Sequence, residues 1–237
     1  MRLESVIRQW IGHGLALLLA CFLVAADASA KDGPNIQPDA ASAGSTAVER
    51  LASANELYAI GRSEGDPILV IAAARLAAGI PVQAVQRTAE TIGGTASKKE
   101  KSVGVPDLKT MIATARDLAA DNRTLNAMID EVEATRPKGR LRGPGRAQGS
   151  VKAKGTAVFK GKDVVFRGGE VAEIAVMGDG DANLDLYVFD ELDNQICASK
   201  RYADREYCRW TPRWTGPFRI EVRNRSPLWS AFTITVN

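Results

Sequence analysis

Asp179, Asp181, Asn183 and Asp185 recur at every second position of MGDGDANLDLYVFDELDN, residues 177–194. Oxygen side chains at that density could hold a calcium ion, which takes several converging oxygen ligands. As an EF-hand loop the spacing fails: Leu184 sits where a glycine must make the sharp turn, and Asp190 stands at the position of the closing bidentate Glu. As a strand it works, with Leu184, Leu186 and Val188 on one face and Asp185, Tyr187 and Phe189 on the other. ELDNQ then reads as a hairpin turn. The stretch is a polar loop, a core strand and a turn, with a non-EF calcium site at Asp179, Asp181, Asn183 and Asp185 left open. Nothing beside these carboxylates suggests the matched pair that acid–base catalysis requires.

A second group of candidates is aromatic. CRWTPRWTGPF brings Trp210, Trp214 and Phe218 close together with Arg209 and Arg213 between them, and Trp229 follows. Trp210, Arg213, Trp214 and Trp229 could form a stacking surface for carbohydrate or peptide. The favoured alternative is that one Trp fills a small core and the others cover a sheet edge with Arg stacked on them.

The start of the chain bears on both readings. Arg2 and Arg8 precede an apolar run from Ile11 to Ala26, and Ala28-Ser29-Ala30 has the small-x-small pattern of a signal-peptidase site. Cleavage after Ala30 is expected, giving a periplasmic or secreted protein with no membrane-spanning segment left. The alternative is a lipoprotein anchored at Cys21 in LLAC, against which the apolar run continues past Cys21. Cleavage removes Cys21 and the only histidine, His13, and leaves Cys197 and Cys208. Two cysteines in an exported chain are expected to form a disulfide, which would bridge antiparallel neighbouring strands if those strands pair. Without histidine, Ser-His-Asp and Cys-His catalysis and His-ligated zinc are excluded. Carboxylate or Ser-Lys chemistry stays open without support. The removed segment balances Arg2 and Arg8 against Glu4 and Asp27, so the net charge stays at +3. That balance alone implies no nucleic-acid partner.

The elements that must position these residues fall into two unlike halves. Residues 31–45 are rich in Pro, Gly, Ala and Ser and read as a flexible leader. Residues 46–135 read as an α-helical domain of five short helices. Thr46 and Glu49 have capping-box spacing, and Asp66-Pro67 supplies an N-cap and a first-turn proline. PVQAVQRTAETIGG aligns Val82, Val85, Ala89 and Ile92 on one helical face, and Gly93-Gly94 ends it. PDLKTMIATARDLAA aligns Leu108, Ile112, Ala115 and Ala119, and Asp121 caps a last helix that ends before Pro137. Ile71 to Arg75 and Ile112 to Arg116 share IAxAR, by short repeat or by chance.

Residues 136–154 read as a basic Pro/Gly linker. From Thr135 to Lys162 no acidic residue offsets Arg136, Lys138, Arg140, Arg142, Arg146, Lys152, Lys154, Lys160 and Lys162. A solvated spacer is expected, with contact to an anionic envelope polymer as the functional alternative. Nucleic acid is disfavoured, because the segment has no aromatic platform. From residue 155 the period changes to two. In PFRIEVRN, Phe218, Ile220 and Val222 face opposite Arg219, Glu221 and Arg223, and in AFTITVN, Phe232, Ile234 and Val236 alternate with threonines. Many short strands in residues 155–237 indicate an antiparallel β-sandwich.

RGGEVAEIAVMGDGDANLDLYVFDELDNQI, WTGPFRIEVRN and AFTITVN, taken in that order, resemble the bacterial pre-peptidase C-terminal domain, over residues 155–237 alone. Gly169-Glu170, Leu184 to Asp190, Asp193-Asn194, Gly216 to Val222 and Phe232 to Val236 fill that family's strand and turn motifs. Asn183 departs from its first strand Asp, and Pro217-Phe218-Arg219 from its Thr-Tyr-Tyr stretch. The resemblance implies a jelly-roll-like, non-catalytic sandwich of the kind appended to secreted enzymes, and some members bind calcium. The helical half resembles no family.

The expected fold is α+β and two-domain, a small all-α bundle or short helical repeat followed by a jelly-roll-like antiparallel β-sandwich. The expected function is an exported, non-catalytic accessory or binding protein, its helical half a scaffold for a protein partner such as a secreted enzyme or envelope component. No cofactor is expected, with calcium open. The alternatives are a hydrolase with a carboxylate or Ser-Lys site between the halves, and a structural cell-envelope protein.

Overall fold

The computed structural model describes residues 31–38, 46–97, 105–135, 143–201 and 204–237. Residues 1–30, with the expected signal segment and Cys21, and residues 39–45, 98–104, 136–142 and 202–203 lie outside the described residues. Helices α1 (Ala47–Glu64) and α2 (Pro67–Ala77) come first, then strands β1 (Gln83–Ala84) and β2 (Glu90–Thr95), then α3 (Leu108–Ala119) and α4 (Arg123–Ala134). The remaining strands are β3 (Gly145–Val151), β4 (Ala153–Phe159), β5 (Val165–Phe166), β6 (Ala172–Gly178), β7 (Leu184–Phe189), β8 (Gln195–Ser199), β9 (Arg205–Trp210), β10 (Gly216–Pro217), β11 (Arg219–Asn224) and β12 (Ser230–Val236). The fold is α+β. Two sheets, ordered β1-β3-β12-β6-β9 and β2-β4-β11-β7-β8, form the sandwich, and β5 pairs with β10 beside them. All these pairings are antiparallel except that of β1 with β3.

The period of two does what it predicts. Ile174, Val176, Phe232 and Ile234 of the first sheet meet Leu184, Leu186, Val188, Ile220 and Val222 of the second in one buried core. Trp210 joins them, its ring 4.9 Å from that of Phe166 and 5.2 Å from that of Phe218. Non-directional burial of alternate apolar side chains on two facing sheets is the main stabilising term here.

The helices hold one another around α2, whose Val70, Ile71, Ala73, Ala74 and Ala77 are buried against α1, α3 and α4. Asp66 caps α2, its carboxylate accepting from the Ile68 and Leu69 amides at 2.7 and 3.2 Å. Thr46 Oγ1 accepts from the Glu49 amide at 3.2 Å, while the Glu49 carboxylate reaches Arg209 at 3.7 Å. The cap of α4 is Asn122, not Asp121, because the Asn122 side chain accepts from the Thr124 and Leu125 amides. Gly61 lets α1 and α2 approach: a Cβ there would lie 2.8 Å from Leu69 Cβ and 2.9 Å from Val70 N. Alanine ordinarily favours a helix over glycine by ~1 kcal/mol, yet crowding costs ~1–3 kcal/mol. Gly61→Ala is expected to lower stability by about 1 kcal/mol net in urea unfolding. A gain in stability would show that the two helices separate freely.

Three expectations are corrected. Residues 82–94 are not a helix. Gln83–Ala84 and Glu90–Thr95 add strands to the two sheets, with Ile92 opposite Thr156 in register. Thr88, Thr91, Ile92 and Thr95 are β-branched and favour the strand, and Gly93 and Gly94 take positive φ. Helices and strands are therefore interleaved within 46–135, so that the described residues hold four helices there rather than five. The basic segment is no spacer beyond residue 144. Arg146 lies in β3, Lys152 joins β3 to β4, Lys154 lies in β4, and Lys160 pairs with Glu90 at 2.6 Å. Alternation in GRAQGSV and AKGTAVF buries Ala147, Val151, Ala153, Ala157 and Phe159, which outweighs the charge. The leader is not free over residues 31–38. Asn35 is fully buried, and its side chain donates to Trp214 O at 3.1 Å and accepts from Trp214 N at 3.0 Å. Helices and sandwich belong to one compact unit, Asp32–Asn237.

Candidate binding cleft

The outer face of the first sheet carries Glu173, Ala175 and Met177 from β6, Thr233 and Thr235 from β12, and Arg205, Tyr207 and Arg209 from β9. Helix α1 lies across it. Where α1 ends above the ends of β6 and β9, a cleft of about 550 Å³ opens. Asn55, Tyr58, Ile60 and Arg62 of α1 line one wall, Val105, Pro106 and Thr110 another, and Met177 to Gly180 with Asp204 and Arg205 the floor. A smaller void of about 30 Å³ adjoins it, lined by Asn55, Met177 and Arg205, which it shares with the cleft, and by Thr233 and Thr235. Among the described residues, no helix is long and apolar enough to cross a membrane.

Polar groups in the cleft differ in what they already hold. Asp179 is committed: Ser230 Oγ and the Ala231 amide donate to its two oxygens at 3.0 and 3.1 Å. Asp204 accepts from the Gly180 amide, and its carbonyl accepts from Gly178 N at 2.7 Å, which fixes the turn after β6. Tyr58 OH is 3.0 Å from Thr114 Oγ1. Asn55 is 6% exposed, yet its Oδ1 is buried without a hydrogen-bond partner. Arg205 pairs with Met177 through the backbone, but its guanidinium makes no hydrogen bond or ion pair among the described residues, and acts on Asp204 only through space.

Acidic groups beside the cleft are pushed toward their neutral form. Burial raises the Asp204 and Glu206 carboxyls above their ordinary values. Glu206 accepts from Ser199 Oγ and, at 3.0 Å, from Arg201 N. Burial, then the hydrogen bond to buried Glu173, pushes the Tyr207 hydroxyl well above its usual range. Carboxyls raised on folding contribute stability that is full below the ordinary carboxylate range and is lost as pH rises through their folded values. Asp107, lowered chiefly by the Thr110 amide it caps, runs the other way. Asp204→Asn with Glu206→Gln is expected to flatten the decline of the urea midpoint as pH rises above the ordinary carboxylate range, about 4. An unchanged slope would assign the decline to other groups.

The residues singled out from sequence disperse. Asp179 pins the start of β12, and Asp185 turns to the opposite sheet's outer face, pairing with Arg225 at 2.7 Å. Asn183 donates its backbone amide to Ser226 Oγ, and Asp181 lines an adjoining recess that shares Gly180, Asp204 and Arg205 with the cleft. Among the described residues no cluster of three or more His, Cys, Asp or Glu could hold a metal. Trp210 is core, whereas Trp214 donates from Nε1 to Glu191 at 2.8 Å with Arg213 packed 5.5 Å over its ring. Trp229 is half-buried just before β12. On the second sheet's outer face the stacked aromatics are Tyr187 and Phe189, covered by Arg223 and Arg219 at 4.0 and 4.4 Å. Cys197 and Cys208 form a disulfide with Cα atoms 6.0 Å apart. Their strands are not neighbours in one sheet, as expected, but the edge strands β8 and β9 of opposite sheets.

Asn55 was legible: Val48, Leu51, Asn55 and Tyr58 keep helical spacing, and Asn55 is the polar member of that buried face. Arg205 carried no such signal, standing in the charged run ADREY.

No family model matches the chain, and no curated protein matches it by sequence. Solved structures similar to it include the pre-peptidase C-terminal domain of a Bacillus anthracis collagenase, at 11% identity and TM-score 0.30, covering 39% of this chain and 87% of that one. A periplasmic inhibitor of g-type lysozyme from Aeromonas hydrophila is similar at 15% identity and TM-score 0.29, covering 40% and 86%. A mitogen from Yersinia pseudotuberculosis is similar at 12% identity and TM-score 0.31, covering 40% and 85%. At these TM-scores the likenesses transfer no ligand or activity. What the structure itself shows is a β-sandwich of two five-stranded sheets.

Proposed function

We propose that the protein is an exported, non-catalytic binding protein that captures its partner in the cleft between α1 and the first sheet. One observation carries this reading: a cleft of about 550 Å³ is lined by Asn55, whose buried carbonyl has no hydrogen-bond partner among the described residues, and by Arg205, whose guanidinium has no ion-pair partner among them. That size is typical of binding pockets, ~300–1,000 Å³, and a buried polar atom left unpaired costs stability that a ligand can recover. Export is supported by the signal pattern of residues 1–30 and by the Cys197–Cys208 disulfide, a bond of oxidising compartments. The non-catalytic reading is supported by the cleft's two carboxylates. Asp179 already accepts one donor on each oxygen, Asp204 holds a turn, and no lysine stands beside a serine among the described lining residues.

The test places a photo-cross-linking residue at Ile60, on the cleft lip, or at Leu192, away from it; these are 38% and 49% exposed. In the exporting cell, an adduct at Ile60 that disappears in Arg205→Leu and never forms at Leu192 is the expected result. Equal labelling at both positions would remove the cleft from the function. Mass spectrometry of the same material should show an N-terminus at Lys31, and a lipidated Cys21 would replace secretion by anchoring.

A further inference from the structure

Resting on that reading, we infer that the cleft takes the C-terminal residue of a peptide with an apolar last side chain, its carboxylate on Arg205 and its amide N–H on Asn55 Oδ1. Asn55 sets the first requirement. A buried carbonyl oxygen with no donor, on a residue 6% exposed, needs an N–H or O–H from outside the fold. Arg205 sets the second. Its planar guanidinium matches a carboxylate through paired hydrogen bonds, and it lines the cleft and the adjoining void together with Asn55. The same residue of a peptide offers both groups, because the backbone N–H of a terminal amino acid is separated from its carboxylate only by Cα.

The surrounding residues narrow the class further. Met177, Val105 and Pro106 give an apolar wall beside these two groups, suited to an aliphatic side chain. Asp179 and Asp204 also line the cleft and disfavour a dianion such as a phosphate ester. A single carboxylate suffers less, because Asp179 is already satisfied and burial shifts Asp204 toward its neutral, donating form. Arg62, on the rim without an ion-pair partner among the described residues, adds attraction for an anion.

Calorimetric titration of residues 31–237 with N-acetyl-Ala-Leu, as the free acid and as the C-terminal amide, tests this. The acid should bind at least ~10-fold more tightly than the amide, since a charge-assisted paired contact is lost. Arg205→Leu should abolish that preference. Asn55→Leu should weaken the acid while raising the urea midpoint, because it replaces an unpaired buried amide by an apolar group of similar size. A merely structural Asn55 would show the opposite, a lowered midpoint with binding retained. Equal affinity for acid and amide, binding unaffected by Arg205→Leu, or no heat from either peptide at about 5 mM would each overturn the assignment. Cross-linking at Ile60 that persists alongside such a result would overturn the ligand class alone, whereas its loss would overturn the binding cleft itself.

Discussion

Replacing Cys197 and Cys208 together by alanine is expected to lower the stability of the fold by about 3 kcal/mol. The bond closes a short loop, with a sequence separation of 11. Loop-closure entropy in the unfolded chain gives a stabilisation of that order, with native strain and residual structure as the usual corrections. Its position makes the loss local as well as global. Strand β8 is the edge of its sheet, pairs only with β7, and has no fully buried residue. Strand β9 is the edge of the other sheet, and Cys208 is buried in the shared core. The disulfide therefore ties together two strands that no backbone ladder connects. Hydrogen exchange should show Gln195–Ser199 opening first in the reduced or substituted protein, with β6 and β12 still protected. Urea unfolding that moves by less than about 1 kcal/mol would mean that core packing alone holds these edges.

The bridge also shows where the sequence was readable and where it was not. Alternation predicted that Leu184, Leu186 and Val188 share a core face, and they do, because a one-residue slip would turn all three outward. Pairing two cysteines in a chain expected to be exported needed only chemistry. Which strands they joined depended on the chain crossing from one sheet to the other between Ser199 and Arg205, and period-two patterning is identical on both sides of such a crossing. The segment around Ile92 misled for a related reason. Val82, Val85, Ala89 and Ile92 fit a helical face, but the partner that decides, β4, begins more than fifty residues later. Local spacing carries no information about a non-local edge waiting to be paired. Polar clusters were the hardest. Asp179, Asp181, Asn183 and Asp185 look alike in sequence, but the first three stand in the connection between β6 and β7 and Asp185 in β7 itself, and the path of that connection sends them to different partners.

Asp190→Ala should be the most damaging single substitution among those considered, at about 3–5 kcal/mol. Asp190 is 2% exposed, and its two oxygens accept from Asn35 N, Leu192 N, Asn194 N and Asn194 Nδ2 at 2.9 to 3.0 Å. Hydrogen bonds to an ionised group are each worth ~1.5–3 kcal/mol and do not add, while every donor left buried and unpaired costs extra. Asn35→Ala should cost about 2 kcal/mol, because it strands both the Trp214 carbonyl and the Trp214 amide. The double variant should lose less than the sum by about 1 kcal/mol, since one turn and one strap share the same network. Full additivity in a urea-unfolding cycle would show that Asn35 and Asp190 act separately. The network also ties stability to where the chain begins. A chain beginning at Lys31, as the proposed cleavage after Ala30 would leave it, keeps Lys31 to Pro34 ahead of Asn35, and Arg213 donates to Asp32 O at 3.2 Å. A chain shortened to begin after Asn35 should therefore unfold at lower urea than one beginning at Lys31, by as much as Asn35→Ala or more, because it loses the Asn35 amide on Asp190 as well. If the shortened chain is equally stable, the buried strap contributes nothing that water and the hairpin at Asp190 do not replace.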